Sequence, residues 1–236
     1  GSGTDVAKET SDLILLKDNF AIIPQAIREG RVIVDNIRKI VTYLVSGSFT
    51  ETILIGTSIL LGLPLPITAL QILWINLVED GLPGMALTLE KPEEDVMARP
   101  PGKKDSTLLT QEMKVIIFGI SIITDILLLG LFFWLLQTPY SVSHIQTVIF
   151  VGLGIDSLFY VFSVRSLRRN IWQYNPFSNL WVTGAVVLGL VLLVGAVYLP
   201  FLQFFLGTVA LTLFDWTILI SLGLLNVFLI EMVKWY

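Results

Sequence analysis

Six apolar runs divide the chain, at 37–61, 67–88, 115–136, 145–164, 180–199 and 214–233. Each is close to the roughly 20 residues a helix needs to cross a bilayer, so the pattern predicts six membrane helices. The leading segment differs. Thr4 or Asp5 predicts the cap of a short helix through Glu9, Leu13–Leu16 predicts a brief buried strand, and Asp18–Asn19 predicts a turn. A four-residue strand needs partners to pair with, so residues 1–35 are expected to be the edge of a larger α/β domain. Phe20–Lys39 is polar and basic, and predicts a helix that enters the first apolar run without a break. Such a helix can transmit force. The expected divisions are 1–35, a first pair of spans within 36–89, a polar connection at 90–114, and four further spans within 115–236.

Composition strengthens the membrane assignment. Over 236 residues, 54% are hydrophobic and the mean hydropathy is +0.79, far beyond what a soluble domain requires. The fold class expected is an all-α, multi-pass bundle in a lipid bilayer. Cysteine is absent, which removes disulfide and thiol chemistry. The 15 lysines and arginines lie in the leading segment, the second-to-third and fourth-to-fifth connections, and the C-terminal end. Positive charge stays on the cytoplasmic side, so both chain ends are expected there. No basic region precedes a short apolar core near Gly1, which argues against a signal peptide. Nothing in the charge pattern points to nucleic acid. The six tryptophans all fall near the ends of expected helices, where interfacial anchoring places them.

The second run carries the chemistry. Asn76, Glu79 and Asp80 interrupt it, and an ionisable group at that depth costs roughly 2.5–3.5 kcal/mol even on the lenient insertion scale. On an α-helix, Asn76, Glu79, Asp80 and Pro83 share one face. Gly81 and Pro83 are expected to loosen that helix and free backbone carbonyls for an ion, as at the broken helices of transporters. Ser48 and Glu51, three apart on the first span, present oxygens to pair with this group. Together Ser48, Glu51, Asn76, Glu79 and Asp80 offer eight side-chain oxygens, and calcium takes six to eight. The same hard ligands also suit sodium, magnesium, manganese or protons.

These residues sit in a longer pattern. Gly1-Ser-Gly-Thr-Asp-Val-Ala-Lys-Glu9, Asp18-Asn-Phe20, Glu29-Gly-Arg31, Tyr43-Leu-Val-Ser46, Trp74-Ile-Asn-Leu-Val-Glu-Asp-Gly-Leu-Pro83 and Asp95-Val-Met-Ala-Arg-Pro-Pro101 follow the order found in P-type cation-transporting ATPases of the calcium-pump group. The resemblance continues through the helix count and Ser166-Leu-Arg-Arg169. It implies that residues 1–35 are the tail of a phosphorylation domain leading into a stalk, followed by transmembrane helices five to ten. It also implies that Glu51, Asn76 and Asp80 are ligands of a transported cation, calcium by family, with Glu79 and Ser48 as further candidates. Ser48 stands where calcium pumps of animal reticulum membranes have asparagine, and Glu79 where they have threonine. No acid lies between Tyr160 and Asn170, where those pumps have a glutamate on helix eight, so one ion per cycle is the expectation.

The resemblance implies an ATP-driven translocase of the cell membrane, with Mg2+ and ATP serving the whole enzyme. An Asp-Lys-Thr-Gly phosphorylation motif, a nucleotide domain and a phosphate-cradling loop are absent from these 236 residues, so the chain alone is not expected to hydrolyse ATP. Its partners are then the bilayer and the N-terminal part of the pump. The alternatives are a non-enzymatic cation binder or assembly partner, and an inert truncated fragment. Gly102–Lys103 reads as a solvated loop charge. The connection 90–114 reads either as a solvated loop or as a contact with the phosphorylation domain. Asp125 and Asp156, midway along the third and fourth spans, are assigned first to structural hydrogen bonding and second to proton transfer or ion access. His144 is expected at the surface, Asp215 at a helix N-terminus, and Glu231 in a pair with Lys234.

Overall fold

The computed structural model describes residues 2–16, 19–100 and 109–234. Gly1, Asp18, Pro101, Gly102, Lys103 and Trp235 lie outside the described residues. Helix α1 (Asp5–Thr10) is capped by Thr4, whose hydroxyl accepts from the Ala7 N–H at 3.3 Å. Leu13–Leu16 is irregular rather than a strand, and Leu13 and Leu16 are exposed. No strand occurs among the described residues, so the expected sheet is not formed here.

Helix α2 (Ile22–Leu60) runs unbroken for 39 residues, as the basic-to-apolar transition predicts. Pro24 is tolerated because it sits in the first turn, where its missing N–H has no intrahelical partner to lose. The helix ends at Gly62, whose φ of 65° lets the Leu63 N–H return to Ser58 O at 2.9 Å and the Gly62 N–H to Ile59 O at 3.2 Å. Its buried face is largely polar, with Asn36, Lys39, Thr42, Ser46, Thr50 and Ser58, while Ile33, Leu44, Phe49, Ile53 and Leu60 are exposed. That inversion suits lipid outside and a polar interior.

The second expected span is a relay of three short pieces, α3 (Ala69–Trp74), a π-helix (Ile75–Asp80) and α4 (Gly81–Leu87). Four long helices follow: α5 (Gln111–Leu135), α6 (Val142–Val164), α7 (Leu180–Tyr198) and, after the short α8 (Pro200–Leu206), α9 (Leu213–Val233). Among the described residues, five helices, α2, α5, α6, α7 and α9, are long and apolar enough to cross a membrane. The broken path 69–87 does not qualify because none of its pieces reaches that length. Helix α6 is the central post, buried along most of its length and packed on α2, α5, α7, α9 and the π-helix.

Near the N-terminal half of α2, residues 88–99 of the connection after α4 fold onto that helix instead of standing in solvent. Arg31 donates to the carbonyls of Val96 and Arg99 at 2.8 Å, and Asn36 donates to those of Thr88 (3.1 Å) and Glu90 (2.9 Å). Arg99 pairs with Asp35 at 2.5 Å, with Asp95 at 2.6 Å and with Glu93. Its hydrogen bonds hold the Asp95 carboxyl below the usual carboxylate range. Beside it Glu90 forms a bidentate pair with Arg165, at 2.8 and 2.9 Å, and accepts from Asn179 at 3.0 Å. Burial alone would raise the Glu90 pKa, but these donors outweigh it and hold the carboxyl below its ordinary value.

At the opposite end, Thr212 and Asp215 form a capping box on α9, placing Asp215 at the helix N-terminus as expected. His144 is not a free surface residue. Its ring stacks on Tyr140 at 4.2 Å, and its Nε2 lies 3.4 Å from Asp215 Oδ2, because the turn into α6 packs on the start of α9. The Glu231–Lys234 pair forms at 2.7 Å. Trp134, Trp181 and Trp216 lie near helix ends, but Trp74 faces inward.

Candidate cation site

Pro83 has no N–H to offer the Glu79 carbonyl four residues back. The hydroxyl of Tyr43 donates to that carbonyl at 3.0 Å, so the freed oxygen is taken from within the bundle rather than left for an ion. The loosening extends backward as the π-helix Ile75–Asp80. A π turn holds more residues than the 3.6 of an α turn, so residue i+4 comes nearly into line while i+3 swings away. The face shared by Asn76, Glu79 and Asp80 in an α-helix is therefore split.

Glu51, Asn76 and Asp80 are brought together. Asn76 Nδ2 donates to both carboxylate oxygens of Glu51 at 3.2 Å and to Ile72 O at 3.0 Å. Asp80, 5% exposed, accepts a short hydrogen bond from Ser157 on α6. It faces Gly47, where an added Cβ would stand 3.5 Å from Oδ2. Glu51 and Asp80 line one small cavity of about 20 Å³ between α2, the π-helix, α5 and α6. Asp156, Tyr43, Ser157 and Tyr160 line it too.

Ser48 and Glu79 stand apart from that cavity. Ser48 is exposed, and its hydroxyl donates to Leu44 O at 3.0 Å. Glu79 is fully buried on the α6–α7 side, where one oxygen accepts from Trp74 Nε1 at 3.3 Å and the other has no partner. Glycines make its room. An added Cβ at Gly189 would stand 2.9 Å from Glu79 Oε2, and one at Gly154 would stand 3.6 Å from Glu79 Cγ.

Asp156 was not among the expected ligands, although its place on the inward face of α6 was visible in the sequence. It lies one turn before Tyr160, ahead of the stretch where the family comparison expected an acid. Asp125 is also buried, with neither carboxylate oxygen hydrogen-bonded. Among the described residues, no three His, Cys, Asp or Glu side chains gather closely enough to hold a metal by themselves. A cation here would need hydroxyl, amide or backbone oxygens as well, a donor set of the hard kind that suits calcium.

The class defined by these features is a multi-pass helical membrane protein whose largely apolar interior encloses a small cavity bordered by carboxylates and hydroxyls. The particular family follows from comparison. Residues 64–236 match the family described as "Cation transporting ATPase, C-terminus". The chain is 40% identical over 231 residues to a "Calcium-transporting ATPase" of Bacillus subtilis, covering 97% of this chain and 26% of the relative. It is 29% identical over 262 residues to "Calcium-transporting ATPase 3, endoplasmic reticulum-type" of Arabidopsis thaliana, covering 99% and 26%. It is 32% identical over 214 residues to "Probable cation-transporting ATPase F" of Mycobacterium tuberculosis, covering 91% and 24%. The chain thus spans about a quarter of the length of these relatives, and it belongs to the cation-transporting ATPases of the P-type, calcium-pump group.

Proposed function

We propose that this chain is the ion-binding membrane part of an ATP-driven calcium pump that works through an aspartyl-phosphate cycle. The phosphorylated aspartate, ATP and Mg2+ belong to the remainder of a polypeptide as long as its relatives. In this reading the path 69–87 is the second of six crossings, residues 1–35 join the phosphorylation domain, and both ends lie in the cytoplasm of a cell whose cell membrane holds the pump. The observation that carries the proposal is that Glu51 on α2 and Asp80 on the π-helix line one cavity inside the bundle, with Asn76, itself exposed, holding both oxygens of Glu51 from the outer side.

Glu51, Asn76 and Asp80 form the centre of the proposed site. Ser48 and Glu79 are further ligands that join only after rotation of the π segment or of the upper part of α2. Asp156 adds a carboxylate from α6, which removes the premise of a single ion per cycle. The mechanism follows from charge and connection. Carboxylates stripped of water favour a divalent cation that neutralises them. Helix α2 carries Glu51 on the same rigid rod as Asp35 and Arg38 at the stalk, so displacement of the stalk shifts Glu51 against Asn76 and Asp80. Separating those oxygens lowers affinity and releases the ion.

The test is Asp80→Asn in the complete pump, with calcium-dependent phosphorylation and calcium uptake into vesicles as readouts. Both are expected to be lost. Retained calcium uptake would overturn the assignment.

A further inference from the structure

The last span carries an asparagine at a depth where an apolar residue would be cheaper. Asn226 on α9 is 1% exposed. Its Nδ2 donates to Thr124 Oγ1 on α5 at 2.8 Å and makes a short hydrogen bond to Asp156 Oδ1 on α6. Thr124 lies 3.5 Å from the other oxygen, Asp156 Oδ2. Three helices therefore converge on one carboxylate, and that carboxylate borders the cavity shared with Glu51 and Asp80.

The backbone is shaped for this contact. Gly223, one turn before Asn226, faces α6, and a Cβ there would stand 2.7 Å from Ile155 Cγ2 and 3.2 Å from the Phe159 ring. Gly152, one turn before Asp156, sits between α5 and α9, and a Cβ there would stand 3.2 Å from Leu128 Cδ2 and 3.3 Å from Leu219 Cδ2. Reciprocal glycines bring the two helices close enough for an amide to reach a carboxylate directly. Plain helix adhesion would be served by any polar pair. Here the amide engages one oxygen of a cavity-lining acid and leaves the second with only the Thr124 hydroxyl at 3.5 Å, which directs the carboxylate while keeping an oxygen for another partner.

We propose that Asn226 is a positioning residue of the cation site, holding Asp156 so that α9 sets the affinity for the ion without touching it. This rests on the cation-site reading given above. The amide makes no direct contact with the ion, and its loss leaves Asp156 free to turn away.

The experiment uses the complete pump with Asn226→Leu, which keeps the branched heavy-atom outline but removes the amide, and Gly223→Ala, which keeps the amide but spreads the helices. Calcium titration of phosphorylation gives a half-saturating concentration and a maximal level for each. Both variants are expected to raise half-saturation by about tenfold, the scale of one hydrogen bond to a charged group, with the maximal level within about twofold of the parent. A lowered maximum with unchanged half-saturation in both would mean that Asn226 only holds helices together, and would overturn the inference. Asp80→Asn is run alongside. If it abolishes the calcium response while Asn226→Leu and Gly223→Ala titrate like the parent, the positioning role fails and the site stands; if Asp80→Asn also titrates normally, the site itself fails.

Discussion

Pro83 shows how one residue shapes the site without entering it. By withholding an N–H it leaves the Glu79 carbonyl to Tyr43, whose single hydroxyl proton is shared between that carbonyl and Ser157 Oγ at 2.6 Å, while Ser157 gives its own proton to Asp80. A backbone vacancy is thereby linked through two hydroxyls to a candidate ligand. Tyr43→Phe leaves a buried carbonyl without its donor, at about 1–3 kcal/mol. The expected outcome is a lower thermal midpoint in detergent and weaker calcium binding; an unchanged midpoint would show that another donor replaces the phenol. Gly189→Ala acts on the other carboxylate, since its methyl would lie 2.6 Å from Leu158 Cδ2 and 2.9 Å from Glu79 Oε2. Overpacking of this kind costs roughly 1–3 kcal/mol, measurable in the same melt, whereas Gly184→Ala, which meets nothing within 4 Å, should be silent.

Among the elements, the most consequential joint is the one that fixes the end of α4 and its following loop to α2 and to the α6–α7 connection. Glu90 and Arg165 are both almost fully enclosed, and Arg165 also donates to the carbonyls of Asn175 and Pro176 and to Ser178. Removing one partner leaves the other buried and uncompensated. Arg165→Leu should therefore destabilise by about 3–5 kcal/mol, read as accelerated proteolysis between α4 and α5. Acid gives an independent check. The folded-state pKa of Glu90 is depressed, so its contribution is complete above the ordinary carboxylate range and is lost as pH falls through the lowered folded value. The parent should lose stability more steeply than Glu90→Gln below about pH 4; parallel curves would show that the pair does not control this joint.

For the whole molecule, the proposed orientation can be read by cysteine labelling: these 236 residues contribute no cysteine of their own, and any elsewhere in the complete pump is replaced first. A single cysteine introduced at Leu65, exposed in the turn after α2, should react with an impermeant maleimide from outside intact cells, and one at Ala98 only after permeabilisation. Labelling of both from one side would exclude a crossing between them and reduce the path 69–87 to a re-entrant piece. How much of this architecture was legible depends on whether a feature is local. The Thr4 cap, the unbroken α2, the break near Pro83, the Asp215 cap and the Glu231–Lys234 pair each depend on residues within about one or two helical turns, and each was readable along the chain. The packing of 90–99 on α2, the His144–Asp215 contact and the arrival of Asp156 beside Asp80 depend on residues far apart in sequence, and periodicity carries no such information.

The sequence by itself determined that this is a membrane bundle, that its polar cost is concentrated on Glu51, Asn76, Glu79 and Asp80, and that its family is that of the calcium pumps. Hydropathy, the charges at segment ends and a run of specific residues are properties of the chain that no partner is needed to express. Only the tertiary structure decided which of those oxygens meet. A single π turn, stabilised by the Tyr43 hydroxyl from a neighbouring helix, sends Asp80 towards Glu51 and Asn76 and turns Glu79 into a glycine slot on the opposite side. The direction of a side chain on a broken helix is set by what the rest of the bundle offers to the backbone groups that the break leaves unpaired.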